Sequence, residues 1–150
     1  MNRLLSLVLF IILVAGGGLI IGYLTAPGDW YAQLAKPAFT PPGWLFGPVW
    51  TVLYILIAIA GWSVWLRDRG SWPMKLWWSQ LTLNFLWSPI FFSAHRTGFA
   101  LAVILALLAI ILAFIAAAWR QDRMGAWLFA PYAAWVAFAS VLNASIFALN

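Results

Sequence analysis

The sequence contains no cysteine, three acidic residues and one histidine, and only 7% of its 150 residues are charged. The lack of cysteine excludes disulfides, thiolate metal sites and cysteine nucleophiles. The lack of charge excludes a water-soluble domain of this size, because too few polar groups are present to cover its surface. Hydrophobic residues make up 66% of the chain, and we therefore expect an integral membrane protein.

The few acidic residues are poorly placed for catalysis. Asp29, Asp68 and Asp122 lie between the apolar runs, so we expect no pair of carboxylates for hydrolysis inside the membrane. The single His95 lies beside Arg96 at the end of an apolar run, which favours an interfacial residue over a haem ligand. Without a metal-ligand cluster or a phosphate-binding loop, the sequence predicts no metal site and no required cofactor.

Long apolar runs define the predicted architecture. A bilayer core of about 30 Å requires about 20 apolar residues per helix. Five runs approach this length, at 4–24, 44–66, 74–92, 98–119 and 127–149. The sequence therefore predicts an all-α fold in which five transmembrane helices form a single domain, 1–150.

The basic residues indicate how these helices are oriented. Most lie on the N-terminal side of the predicted membrane: Arg3, Arg67, Arg69, Lys75, Arg120 and Arg123. Only Lys36 and Arg96 lie on the other side, so the positive-inside rule predicts a cytoplasmic N-terminus. Because the basic residues are scattered and form no continuous stripe, we expect no nucleic-acid partner.

The longest connection between helices, 26–43, has an unusual composition. It contains four prolines, which restrict its backbone, together with Trp30, Tyr31 and Phe39. We predict that this segment forms a structured, lid-like loop on the outer face. The alternative is an ordinary interfacial loop with aromatic anchors.

Three predicted helices carry a stripe of aromatic and polar residues at helical spacing. The stripes are Gly47, Trp50, Tyr54, Ile57 and Gly61; Trp77, Gln80, Asn84, Trp87 and Phe91; and Tyr132, Trp135, Ala139, Asn143 and Ile146. A side-chain amide facing hydrocarbon without a partner costs several kcal/mol, so Gln80 and Asn84 should face the bundle interior, another subunit or a water-containing cavity.

Helical rise places the stripe residues Trp50, Asn84, Trp87 and Asn143 in the outer half of the bilayer, beneath the predicted lid. Such a layer favours a ligand pocket with apolar walls and a few orienting polar groups. The alternative is that the amides only join helices, since such hydrogen bonds contribute about 0.6–2 kcal/mol in membranes.

Small residues suggest close helix packing elsewhere. Gly18 and Gly22 predict a close contact of the first helix with a neighbour. The fourth helix carries no polar side chain between residues 100 and 118, and its alanines predict a packing ridge. The ridge consists of Ala102, Ala106, Ala109, Ala113 and Ala116.

Three segments of the sequence resemble the signature regions of a known family. They are WYAQLAKPAFTPPGWLFGPVWTVLY at 30–54, LNFLWSPIFF at 83–92 and PYAAWVAFASVLN at 131–143. Together they are similar to the tryptophan-rich sensory protein/translocator protein family, whose mitochondrial member is the peripheral-type benzodiazepine receptor. The resemblance extends over nearly the whole chain.

This resemblance implies a five-helix membrane protein, commonly a dimer in bacteria, with a pocket under its first loop. The implied ligands are porphyrins such as protoporphyrin IX, haem, and isoquinoline or benzodiazepine compounds. The implied role is sensory, regulatory or transport, in the inner or the outer bacterial membrane. The residues expected to bind the ligand are Trp30, Trp50, Tyr54, Asn84, Trp87, Trp135, Ala139 and Asn143.

Two further activities follow from the resemblance. Some bacterial members degrade protoporphyrin in light, which makes Trp50 and Trp135 candidate catalytic residues, although we favour a binding protein over an enzyme. Mitochondrial members follow their fifth helix with a Tyr and an Arg in a sterol-recognition pattern. This chain continues as VLNASIFALN without either residue, so lipid is an expected partner but sterol binding at that position is not favoured.

Overall fold

The computed structural model describes residues 1–150, and its regular structure is entirely helical. We number the helices α1 to α6 in chain order. They are α1 Arg3–Leu24, α2 Asp29–Gln33, α3 Gly43–Arg67, α4 72–93, α5 Thr97–Gln121 and α6 Arg123–Leu149. The predicted all-α class is confirmed.

Four of the helices, α1, α3, α5 and α6, are long and apolar enough to cross a membrane. The helix α4 is not among them. Its α-helical part, Trp72–Ser88, has 17 residues and contains Lys75, Gln80 and Asn84. It then continues as a π-helical turn, Pro89–Ser93.

Local sequence signals account for several helix boundaries. Ser71 caps α4, accepting a hydrogen bond from the backbone N–H of Met74 at 3.3 Å. Asp122 caps α6 in the same way, accepting from the N–H of Gly125 at 3.1 Å. The π turn of α4 begins at Pro89, whose missing N–H removes one α-helical hydrogen bond.

The helices pack so that α5 lies along both α4 and α6, whereas α1 lies along α3. The buried face of α5 consists of Ala100, Ile104, Leu107, Ile111, Phe114 and Ala118. The predicted alanine ridge on this helix is therefore wrong as an intramolecular contact. Its residues Ala102, Ala106, Ala109, Ala113 and Ala116 are all exposed. The larger apolar side chains fill the space between α4 and α6, which turns the alanines outward.

The two glycines of the predicted pair on α1 differ in burial. Gly18 is buried, and a Cβ added there would collide with the ring of Tyr54 on α3, so the predicted close contact is confirmed at this position. Gly22 is exposed, and a Cβ there would meet no atom within 4 Å, so the prediction is wrong for Gly22. The close approach of α1 to α3 is thus set by one glycine.

Candidate functional site

A cavity of about 780 Å³ lies between the helices, on the side where α1 ends and α3 begins. We call this side the lid end of the bundle, and we call residues 26–43 the lid loop. Pro27, Tyr31, Lys36 and Thr40 of the lid loop contribute to the cavity wall. The volume is in the range of small-molecule sites, about 300–1,000 Å³.

The cavity wall brings together seven of the eight residues for which sequence predicted ligand contact. They are Trp50, Tyr54, Asn84, Trp87, Trp135, Ala139 and Asn143. They come from α3, α4 and α6, because the stripe of each of these helices turns toward the same space.

Trp30 is the predicted residue that does not line the cavity. Its ring stacks on the imidazole of His95 with a centroid distance of 4.0 Å, and its edge meets Phe91 at 5.9 Å. The next residue, Tyr31, lines the cavity instead. Adjacent residues of α2 point in different directions, and the sequence did not reveal which of the two faces inward.

The amides of α4 are buried and bonded to α6, which confirms that they face the bundle interior. Asn84 Nδ2 donates to the hydroxyl of Tyr132 at 2.7 Å, and that hydroxyl donates to Gln80 Oε1 at 2.8 Å. Gln80 does not line the cavity and serves to join helices, with its Nε2 buried and unpartnered. Asn84 both joins the helices and lines the cavity, so the two alternatives are not exclusive for this amide.

A second polar connection lies closer to the lid end. The indole N–H of Trp87 donates to Asn143 Oδ1 at 3.0 Å. Asn143 Nδ2 in turn donates to the backbone carbonyl of Thr97 at 3.0 Å. Asn143 thereby connects α4, α6 and the beginning of α5, and its position is fixed from two sides.

One polar group of the cavity wall has no partner in the protein. The indole N–H of Trp135 is buried and makes no hydrogen bond. Its ring packs edge-on against Phe46 at 5.8 Å and is stacked with Phe138 at 5.5 Å. An unpaired buried donor is costly, and this nitrogen is not accessible from the cavity, so Trp135 contributes ring carbons rather than its N–H to the wall.

The lid loop and the end of α1 just before it are each hydrogen-bonded to another helix. Asn150 accepts from the N–H of Ala35 at 3.1 Å and donates to its carbonyl at 2.9 Å. At the end of α1, directly before the loop, the hydroxyls of Thr25 and Ser88 are hydrogen-bonded to each other. Partial burial raises the pKa of the phenol of Tyr31, which lies within this loop.

Sequence reasoning missed several residues of this site. The sequence placed Tyr132 in a stripe, but the spacing of residues along one helix does not show which residues of another helix they bond to. Lys36, Thr25 and Ser88 also line the cavity without having been predicted. Four prolines in the loop indicated order, yet they did not indicate which loop side chains face the helices.

The geometry defines a class of protein: an integral membrane protein whose helices enclose a small-molecule-sized, largely apolar cavity with an aromatic and amide wall. The comparisons with known proteins agree. Residues 10–149 match the sequence model of the TspO/MBR family. This chain belongs to the TspO/MBR family, as its signature segments indicated.

Named relatives support the same assignment over most of the chain. The tryptophan-rich protein TspO of Archaeoglobus fulgidus is 39% identical, with 99% of each chain covered. The tryptophan-rich sensory protein of Cereibacter sphaeroides is 33% identical, over 100% of this chain and 95% of the relative. The translocator protein of Homo sapiens is 38% identical, over 76% of this chain and 70% of the relative.

Proposed function

We propose that this protein binds porphyrins, protoporphyrin IX and haem among them, in the cavity under the lid loop and acts as a sensory or regulatory receptor in the membrane. The observation that carries the proposal is the joint placement of Trp50, Trp87 and Trp135 on the wall of one apolar cavity. Indole rings stack well on flat aromatic molecules. The names of the relatives, a sensory protein and a translocator protein, fit such a role.

Within this proposal the wall residues have distinct roles. The three indoles and Tyr54 contact the faces and edges of the ring system, and Ala139 leaves room for it. Asn84 gives a polar contact, while Asn143 holds Trp87 in position and has one N–H left for the ligand. Isoquinoline and benzodiazepine compounds, which are also flat and aromatic, are proposed to occupy the same space.

The proposed membrane arrangement goes beyond the four apolar helices. We propose that α4 crosses the membrane as a fifth span in a single domain, with its amides shielded by α6. The N-terminus is proposed to be cytoplasmic in a bacterial membrane. The exposed alanines of α5 support a homodimer, because small residues allow two helices to approach closely.

The experiment that tests the proposal uses two matched variants of α4. Asn84 and Gln80 each make one hydrogen bond to Tyr132, but only Asn84 lines the cavity. Protoporphyrin IX is titrated in the dark into the purified protein in detergent, following tryptophan fluorescence. We expect saturable quenching that is weakened about two- to tenfold by Asn84→Ala and unchanged in Gln80→Ala.

Size-exclusion chromatography with light scattering must show the same oligomer for all three proteins. Quenching that never saturates in the wild type contradicts porphyrin binding. An equal loss of affinity in both variants assigns Asn84 to helix packing.

A second candidate function is light-dependent porphyrin degradation. It is favoured by the buried indole of Trp135, which has no hydrogen-bond partner and lies on the cavity wall. In this reaction Trp135 or Trp50 loses one electron to the excited porphyrin, and the resulting porphyrin radical anion reacts with dioxygen. The oxygenated porphyrin then returns one electron to the indole radical cation, so that the porphyrin is oxidised, dioxygen is reduced and the tryptophan is restored. Illumination in air should then convert the bound porphyrin to a product that mass spectrometry detects. Replacing Trp50 or Trp135 with Phe should abolish this product and preserve most binding.

A further inference from the structure

The cavity wall carries positive charge and no negative charge. Among all the residues that line it, Lys36 is the only one with a charge, and no carboxylate side chain contributes to the wall. Lys36 belongs to the lid loop, so its charge lies at the mouth. The deeper wall offers neutral indoles, hydroxyls and amides.

The geometry of Lys36 leaves its ammonium group available. Its Nζ donates to the carbonyls of Leu34 at 3.2 Å and Ala32 at 3.4 Å. An ammonium has three N–H donors, so one remains for another acceptor. No carboxylate of the protein pairs with it, since the ion pair of this chain lies between Arg67 and Asp122.

The same ammonium group lies 4.6 Å from the centre of the Tyr31 ring, which also lines the cavity. This contact and the two carbonyls hold the cation beside the mouth of the site. A carboxylate reaching this position would gain a charge-assisted hydrogen bond at low cost of ordering. A carboxylate placed among the deeper neutral groups would lose its water without a counter-charge.

We propose that Lys36 is the residue that recognises the carboxylate of an aromatic ligand bound in this cavity. The ring system enters first and lies among the indoles, and the carboxylate stays under the lid loop at the Lys36 ammonium group. This inference rests on the proposed porphyrin-binding function and deepens it by assigning recognition of the porphyrin carboxylate to Lys36. A neutral aromatic ligand binds by the ring contacts alone.

A purely structural role of Lys36 makes a different prediction. Its bonds to Ala32 and Leu34 cover carbonyls at the end of α2, which is a common function of lysine. If this were its whole function, replacing Lys36 would loosen the lid loop and weaken every ligand equally. Comparing a charged with a neutral ligand of the same ring therefore separates the two roles.

The test measures dissociation constants of protoporphyrin IX and of its dimethyl ester, in the dark and in uncharged detergent. Four proteins are compared: wild type, Lys36→Met, Lys36→Arg and the control Lys75→Met. Lys75 is the other lysine of the chain, and it lies exposed on α4 away from the cavity. We expect the wild type to bind the free acid about tenfold more tightly than the ester.

The Lys36→Met variant should lose this preference while keeping the wild-type affinity for the ester. Lys36→Arg and Lys75→Met should retain the preference. Equal affinity of the wild type for both ligands overturns the proposal, as does an equal loss for both ligands in Lys36→Met. If the wild type binds neither ligand saturably, the proposed function itself fails, which is a distinct result.

Discussion

Trp87 and Asn143 are joined across the lid end of the cavity by a hydrogen bond of 3.0 Å from the indole nitrogen to the amide oxygen. The amide nitrogen of Asn143 is engaged as well, by the carbonyl of Thr97. Both residues line the cavity, so the same bond that joins α4 to α6 also sets the plane of an indole in the wall. Helix association and the shape of the site are therefore coupled at this point.

The first prediction concerns this pair. Asn143→Ala should reduce the free energy of unfolding by about 1–3 kcal/mol, because it leaves the Trp87 N–H and the Thr97 carbonyl without partners. Trp87→Phe should cost less, because it leaves one group, the Oδ1 of Asn143, without a partner instead of two. Unfolding in detergent by added sodium dodecyl sulfate measures both values.

The double variant provides the control for this pair. Its loss of stability should be smaller than the sum of the two single losses, since the bond can be removed only once. Strict additivity would mean that the bond contributes nothing to stability.

The second prediction compares two glycines on α1. Gly18→Ala should destabilise the protein by about 1–3 kcal/mol, because the new methyl group collides with the ring of Tyr54. Since Tyr54 lines the cavity, its displacement should also weaken porphyrin binding. Gly22→Ala is the matched control: it meets no atom within 4 Å and should be neutral or slightly stabilising. Thermal unfolding of both variants tests this, and an equal response would contradict the close contact at Gly18.

The third prediction concerns the attachment of the lid loop. Asn150→Ala removes both hydrogen bonds to the backbone of Ala35, so the loop should open more often. We expect faster dissociation of protoporphyrin IX in stopped-flow fluorescence, by about three- to tenfold for the loss of about 1 kcal/mol. Ser145→Ala is the control, because Ser145 lies on the same helix and bonds only to Val141 within it. Unchanged dissociation in Asn150→Ala would mean that other contacts hold the loop.

The helical class could be predicted from the sequence, and so could seven residues of the cavity wall, for a specific reason. Long apolar runs define helices, and an amide in such a run must find a partner, so the face that carries Asn84 had to turn inward. The alanine ridge of α5 was wrongly predicted to pack within the chain. Small residues occur both where a helix contacts a neighbouring helix and on the exterior of a bundle, so their spacing does not distinguish the two. The position of Trp30 outside the cavity wall could not be predicted, because a five-residue helix has no periodicity long enough to identify its inner face.

The end of the bundle opposite the lid gives the last prediction. Asp122 is 1% exposed, caps α6 through the N–H of Gly125, and lies 3.7 Å from the Arg67 side chain, which is 59% exposed. A mostly exposed cation contributes little, so Arg67→Ala should cost less than about 1 kcal/mol. Asp122→Ala should cost about 1–2 kcal/mol through the lost cap, and Asp122→Asn should recover most of it, because Asn is an equally good capping residue. Chemical unfolding of the three variants measures this order, and a larger loss in Arg67→Ala than in Asp122→Ala would show that the ion pair, rather than the cap, stabilises the beginning of α6.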